Sequence, residues 1–273
     1  MAVKSDGPLE SRYGTAHPAP LVEWNDVLEQ LVSHRSVRSF MEKPLPAGTL
    51  ESLVAAAQSA STSSNLQVWS VVAVQDSGRK RRLSELAGNQ SCILEAPLFL
   101  VWLADLARAA QVAEQSGVVL EALPYLEGLL LGTIDVALAA QNAVVALESL
   151  GLGCVYIGGI RNDIEAVASE LALPPQVYPV FGMCIGYPRP DNPGRIKPRL
   201  PQSMVVHHEQ YSNSLNLETL AQYDNTLYQF YVDEGMKAAH WSEHVVNRLR
   251  NSTCLHGRQF LAEKLRRAGF GLR

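Results

Sequence analysis

Four short stretches of this 273-residue chain concentrate residue types that bind anions or polar ring edges. His34-Arg35-Ser36-Val37-Arg38 brings two guanidiniums and a hydroxyl together, a donor density that suits one phosphate group, although a solvated basic turn has the same composition. Gly194-Arg195-Ile196-Lys197-Pro198-Arg199-Leu200-Pro201 puts three cations in a loop stiffened by proline; it is a second anion site or an exposed charge run. Ala60-Ser61-Thr62-Ser63-Ser64-Asn65-Leu66-Gln67 carries hydroxyls and amides out of a helix end, either as a polar ligand edge or as a capped loop. In Gly151-Leu152-Gly153-Cys154-Val155-Tyr156-Ile157-Gly158-Gly159-Ile160-Arg161-Asn162, the glycines either admit a ligand to backbone N–H groups or make a helix stop and a tight turn.

The rest of the composition narrows what such sites serve. With 47% hydrophobic and 18% charged residues the bulk of the chain is an ordinary folded globular protein. A net charge of −4 and a pI near 6.0 give no global field toward nucleic acid or an anionic membrane, so any anion has to be met by the local clusters. Cys92, Cys154, Cys184 and Cys254 form no C-x-x-C pair and no basic-then-apolar segment opens the chain, so a reducing cytoplasm is the expected compartment. His207-His208 has no cysteine or carboxylate at ligand spacing; a surface strand is expected there, and no metal. The sequence contains no G-x-S-x-G, no H-E-x-x-H and no early G-x-G-x-x-G.

Periodicity supplies the elements that must position these stretches. Val27, Leu28, Leu31 and Val32 recur at helical spacing, as do Leu50, Leu53, Val54 and Ala57 with Thr49 as expected cap, so two helices flank the loop 34–46. Residues 69–75, 97–103, 153–157 and 178–187 read as strands, with helices at 78–87 and 162–172 between them. The apolar run 129–150 holds Asp135, Gln141, Asn142 and Glu148, which are costly in hydrocarbon but tolerable in a packed interior, so it reads as a buried helix. Further helices are expected near 217–236, 242–249 and 259–268. The expected fold is α+β with a central sheet: a loose, chemically silent extension over 1–20, a core over 21–205, and a helical C-terminal extension over 206–273 covering the site.

In this order, H-R-S-V-R-S-F, S-T-S-S-N-L-Q, I-D-V-A-L-A-A-Q-N-A-V-V-A-L-E-S-L-G-L-G, V-Y-I-G-G-I-R-N and K-P-R-L-P resemble the oxygen-insensitive NADPH nitroreductase and flavin reductase family, the larger-subunit branch of the nitro-FMN-reductase superfamily. The resemblance spans about residues 24 to 270. It implies a mixed central sheet flanked by helices, an intertwined homodimer whose core is the long helix, and FMN at two sites shared between subunits. By motif position His34, Arg35, Ser36 and Arg38 are similar to the family's first FMN segment, and Thr62, Ser63, Ser64 and Asn65 to its second, with Thr62 where serine is usual. Gln90 resembles an amide that reaches the flavin, Tyr156, Ile157, Gly158 and Gly159 its backbone contacts, and Lys197 with Arg199 the cations after the sheet. Glu127, Lys237 and Arg258 resemble groups on the substrate and NADPH side.

The activity the resemblance implies is ping-pong hydride transfer from NADPH or NADH through FMN to nitroaromatics, quinones or flavins. The flavin then carries the chemistry, and no catalytic side chain is expected. A cation such as Arg38 or Lys197 near N1 and O2 offsets the negative charge of the reduced ring. The family's phosphate-gripping arginines precede W-S-x-H; here only Lys237 stands before Trp241-Ser242-Glu243-His244, with Asp233 and Glu234 nearby, so a weakened NADPH preference is expected. Two other readings remain at this point: a flavin reductase feeding reduced FMN to a partner oxygenase, and a flavin-binding sensor without catalysis.

Overall fold

The computed structural model describes residues 6–14 and 23–273. In chain order its helices are α1 (Asp6–Tyr13), α2 (Asp26–Val32), α3 (Thr49–Gln58), α4 (Ser77–Leu86), α5 (Ser91–Glu95) and α6 (Ala107–Gln115). They continue with α7 (Leu126–Ser149), α8 (Ile164–Glu170), α9 (Leu217–Asp233), α10 (Trp241–Leu249) and α11 (Leu261–Arg267). The strands are β1 (Trp69–Val74), β2 (Leu98–Asp105), β3 (Gly153–Ile157) and β4 (Val177–Gly186). Two units divide the described residues, one of Ser36–Gly194 with His256–Arg273, the other of those up to Arg35 with Arg195–Leu255.

The larger unit is organised by the alternation of β2. Leu98, Leu100, Trp102 and Ala104 enter one hydrophobic core, while Phe99, Val101 and Leu103 enter a second on the opposite face, as a period of two requires of a strand buried on both sides. α3 and α7 cover the first face with Leu53, Ala57, Val136, Ala140, Val144 and Leu147; α4, α5 and α8 cover the second with Leu83, Ile93 and Val167. Each fully buried leucine or isoleucine among them contributes roughly 1.5–3 kcal/mol. The strand order is β1-β2-β4-β3 with every neighbour antiparallel. The α+β class with a central sheet is therefore as expected, while the parallel component of a mixed sheet is one isolated bridge, Ser36 to Cys154.

α7, expected as a buried helix, is buried on one face within this chain. Asp135, Val136, Ala139, Ala140, Ala143, Val144 and Leu147 are buried, but Leu126, Leu130, Ile134 and Leu138 form an exposed stripe at four-residue spacing. Only one face packs on the sheet. Thr49 is not the cap of α3: Gly48 is, and the Thr49 hydroxyl donates to the Pro46 carbonyl at 2.7 Å. His207 and His208 lie in an irregular, bent segment, not a strand, and His207 Nδ1 accepts from the Ser212 N–H. In the smaller unit α1 occupies the segment expected to be loose; it buries Leu9 and Arg12. The Asn25 side chain caps α2 by accepting from the Val27 and Leu28 N–H groups.

On the second face, α4 and α8 are joined by Glu170, which accepts from Arg79 Nε at 3.1 Å and Arg82 Nε at 2.8 Å. The Arg82 bond is the main reason the Glu170 carboxyl is held down to about 2. Because the folded value lies below the ordinary value of 4.5, this contribution to stability is present above about pH 4.5 and is lost as pH falls toward 2. Glu170→Gln is expected to flatten the fall in melting temperature across that window, by less at high salt because the pair is solvent-screened. An unchanged acid branch would remove the assignment.

Candidate functional site

The polar loop after α3 is built around one buried carboxylate. Asp135 on α7 is only 2% exposed, and accepts from Thr62 Oγ1 at 2.6 Å, the Ser63 N–H at 3.2 Å and the Val68 N–H at 3.3 Å. Thr62 Oγ1 in turn accepts from the Gln67 N–H at 2.9 Å. Between these ties Ser64, Asn65 and Gln67 take φ of 49°, 55° and 51°. Left-handed backbone costs a non-glycine residue on the order of 1–2 kcal/mol, so the loop keeps this shape because the Asp135 bonds over-determine it. The turn leaves Ser63, Ser64 and Asn65 exposed. Sequence reasoning missed Asp135 as a site-forming residue. The signal was an acid isolated in an apolar helix, which had to find buried donors.

The first basic segment meets the glycine segment at the sheet edge. Ser36 bridges Cys154, the Val37 N–H donates to the Cys154 carbonyl at 2.8 Å, and the Val37 side chain is 1% exposed. Burial of Val37 turns Ser36 and Arg38 outward, and both are exposed. Arg38 lies near enough to Cys92 for its charge to lower that thiol's pKa, after the larger effect of a hydrogen bond with Cys184. Cys92 follows two residues after Gln90, the exposed N-cap residue of α5.

Gly158 and Gly159 begin a 3-10 turn, Gly158–Asp163, directly after β3. A Cβ on Gly159 would lie 2.2 Å from the Ala87 carbonyl oxygen, so only glycine lets this turn sit against the end of α4. The contact brings the segment carrying Gln90 beside the turn. Arg258 joins them: its Nε donates to Asn162 Oδ1 at 3.0 Å, and Gly257, at φ +90°, passes so close that a Cβ would stand 2.7 Å from the Asn162 carbonyl. Tyr156 packs edge-on to Phe181 at 4.9 Å, and burial raises its phenol pKa, so the hydroxyl stays protonated. Glu127 is exposed in the first turn of α7, eight residues before Asp135 and so about 12 Å from it along the axis.

In the smaller unit Lys197 lies with its ammonium 5.1 Å from the Tyr231 ring and 5.9 Å from that of Phe230. Arg199 is exposed, and its N–H donates to the Arg12 carbonyl at 2.8 Å. Of the acids expected to repel a phosphate, Glu234 is held by Arg195 Nη1 at 3.0 Å, and Asp233 accepts from Gln229 Nε2 at 2.8 Å. Lys237 is exposed a few residues beyond. His34 and Arg35 follow α2 and are half-buried.

Residues 31–187 match the nitroreductase family, and residues 197–273 match the nitroreductase family C-terminal domain. The chain is 41% identical over 248 residues to an oxygen-insensitive NADPH nitroreductase of Salmonella typhimurium, covering 90% of this chain and 98% of that protein. It is 39% identical over 245 residues to an FMN reductase (NADPH) of Bacillus subtilis, covering 88% and 98%. The structure of NfrA1 nitroreductase from B. subtilis superposes with a TM-score of 0.84 at 38% identity, covering 90% of this chain and 99% of that one.

Asp135→Asn replaces a carboxylate oxygen by a donor that faces other donors. It is expected to lower stability by about 1.5–3 kcal/mol, the worth of a hydrogen bond to a charged group, and to speed amide exchange at Ser63 and Val68 more than in β2. Exchange that rises uniformly, or not at all, would show that the carboxylate does not hold the loop.

Proposed function

The chain belongs to the nitroreductase family, and from that premise we propose how its residues serve the reaction. It is an FMN-dependent oxidoreductase that draws reducing equivalents from NAD(P)H. When bound, FMN supplies at N5 the hydride-accepting and hydride-donating atom that no side chain offers. The donor set on this chain fits that group. Arg35, Arg38, Lys197 and Arg199, with His34 and Ser36, suit a phosphate dianion, while Ser63, Ser64, Asn65, Gln90 and the Thr62 backbone suit the neutral ribityl chain and ring edges. The backbone N–H groups of the Tyr156-Ile157-Gly158-Gly159 segment suit the far ring edge.

The observation that carries the reading is the strained loop: three left-handed non-glycine residues held by a buried carboxylate, presenting side chains outward. Stored strain of this kind marks ligand clamps. We assign Arg38 or Lys197 the role of a fixed cation that offsets negative charge at the N1 and O2 edge of the ring. Glu127, Lys237 and Arg258 are assigned to the substrate side. Bound FMN would let the nicotinamide donor and the acceptor use the site in turn, in ping-pong order, with nitroaromatics, quinones or free flavin as acceptors. The flavin-reductase reading, in which reduced FMN leaves for a partner oxygenase, is favoured to the extent that one close relative is named an FMN reductase. The cysteines among the described residues are all free, which suits a reducing cytoplasm.

The stripe Leu126, Leu130, Ile134 and Leu138 leaves an apolar helix face uncovered, and we propose that a second copy of the chain covers it. The wild type is expected to sediment as a dimer and Ile134→Lys as a monomer. A wild-type monomer that keeps its flavin would remove the shared site.

Donor choice follows from the charges near Lys237. With Glu234 tied to Arg195, part of the repulsion against a 2′-phosphate is already cancelled, so Lys237 should still distinguish NADPH. In anaerobic titration NADPH is expected to bleach the bound flavin, and kcat/KM for NADPH to exceed that for NADH by about 10-fold or more, the worth of one charge-assisted bond. Lys237→Ala should narrow that ratio. Flavin that no nicotinamide bleaches would overturn the function, whereas an unaltered ratio in the variant would overturn only the role of Lys237.

A further inference from the structure

The stretches that match the family begin at residue 31, so α1 stands before them. The helix is short and polar: Arg12 is 7% exposed and Leu9 8%. A guanidinium at that depth has to be hydrogen-bonded. Arg12 Nη2 donates to the Val32 carbonyl at 2.8 Å and the His34 carbonyl at 2.6 Å, and Nη1 donates to the Lys197 carbonyl at 2.9 Å. Its own carbonyl accepts from the Arg199 N–H at 2.8 Å.

The acceptors are informative. Val32 ends α2, where helix carbonyls are without intrahelical partners and the helix dipole is negative, so a cation is favoured there. His34 opens the first basic segment, immediately before Arg35. Lys197 and Arg199 are the second. One planar, rigid fork therefore sets the spacing between the backbones of two segments far apart in sequence, and the same residue's main chain fixes a third point. The carbonyls take up donors of the Arg12 guanidinium, so Arg12 acts on the backbones of the two segments and not on their side chains.

We propose that Arg12 is a positioning residue for the flavin phosphate: by clamping the His34 and Lys197 carbonyls it holds Arg35 and Arg199 at the separation a phosphate requires. The proposal rests on the assignment of those two cations to the phosphate. It makes α1 part of the cofactor site without touching the cofactor. Because the effect passes through the phosphate, it distinguishes FMN from riboflavin, whereas general loosening of the protein weakens both alike.

The test is the exchange equilibrium between FMN bound to the full-length holoprotein and added riboflavin, read as the ratio of the two flavins retained. Arg12→Met, which keeps the apolar stem and removes the donors, is expected to reduce the preference for FMN by about 10-fold or more, the equivalent of about 1.4 kcal/mol. Leu9→Ala, which loosens the same helix without removing a donor, is expected to leave the preference near that of the wild type. Should Arg12→Met not fold, Arg12→Lys serves, with a smaller reduction expected because an ammonium cannot reproduce the fork. An unchanged preference in the Arg12 variant, or an equal fall in Leu9→Ala, overturns the positioning role. Arg35→Ala combined with Arg199→Ala separates the two levels: if that variant keeps its FMN preference the phosphate assignment itself fails, and if it loses the preference while the Arg12 variant does not, Arg12 alone is excluded.

Discussion

The one buried carboxylate of the long helix α7 ties the larger unit together. Asp135 is placed by α7 against the sheet, where an unpaired charge would cost several kcal/mol. Its acceptor capacity is met from one loop, by the Thr62 hydroxyl and the amides of Ser63 and Val68. Val68 precedes Trp69, the first residue of β1, so the same group sets where the loop ends and where the sheet begins. The three left-handed residues between those ties are a consequence: the chain must reverse within a few residues while keeping its amides on the carboxylate.

A second constraint acts at the opposite sheet edge, where backbones approach more closely than side chains permit. Gly159 lies against the Ala87 carbonyl and Gly257 against that of Asn162, so the end of α4, the turn after β3 and the C-terminal segment share one place. That convergence gathers Gln90, Gly158 and Arg258 from distant parts of the sequence without a direct hydrogen bond among the three being needed. Rigid backbone contact positions them, and Arg258 is further tied to the turn through Asn162.

Strands and long helices were legible because burial on both sheet faces leaves continuous apolar runs, and each of 69–75, 97–103, 153–157 and 178–187 corresponds to a strand within a few residues. The short α5 and α6 were not, since Ser91–Glu95 spans little more than a turn and Ala107–Gln115 offers alanines where large apolar residues would announce a face. α1 was invisible for a related reason. Its burial depends on Arg12, and a buried arginine looks in sequence like a surface one until its carbonyl partners are known. The basic and polar motifs were readable as residue types, but Asp135, which shapes one of them, is 70 residues or more from most of the loop it holds, a separation no local pattern spans.

Charge placement in the smaller unit shows the same limit. Read along the chain, Asp233 and Glu234 form an acidic pair beside Lys237. In three dimensions Arg195 reaches back from the proline-rich loop to Glu234, and Asp233 is engaged by Gln229 one turn earlier on α9. The field at Lys237 is therefore less negative than the sequence suggests. Arg195 is more than half exposed, so salt screens the pair and its effect on a nucleotide phosphate depends on ionic strength. Lys197 is placed differently: with its ammonium near the Tyr231 and Phe230 rings, it is attracted to their faces and keeps its charge uncancelled there. The two cations of one loop thus differ in partner: Arg195 pairs with Glu234, the acid that caps α9, and also lies 5.8 Å from the Phe230 ring, whereas Lys197 sits over the Tyr231 and Phe230 rings in the last turn of that helix.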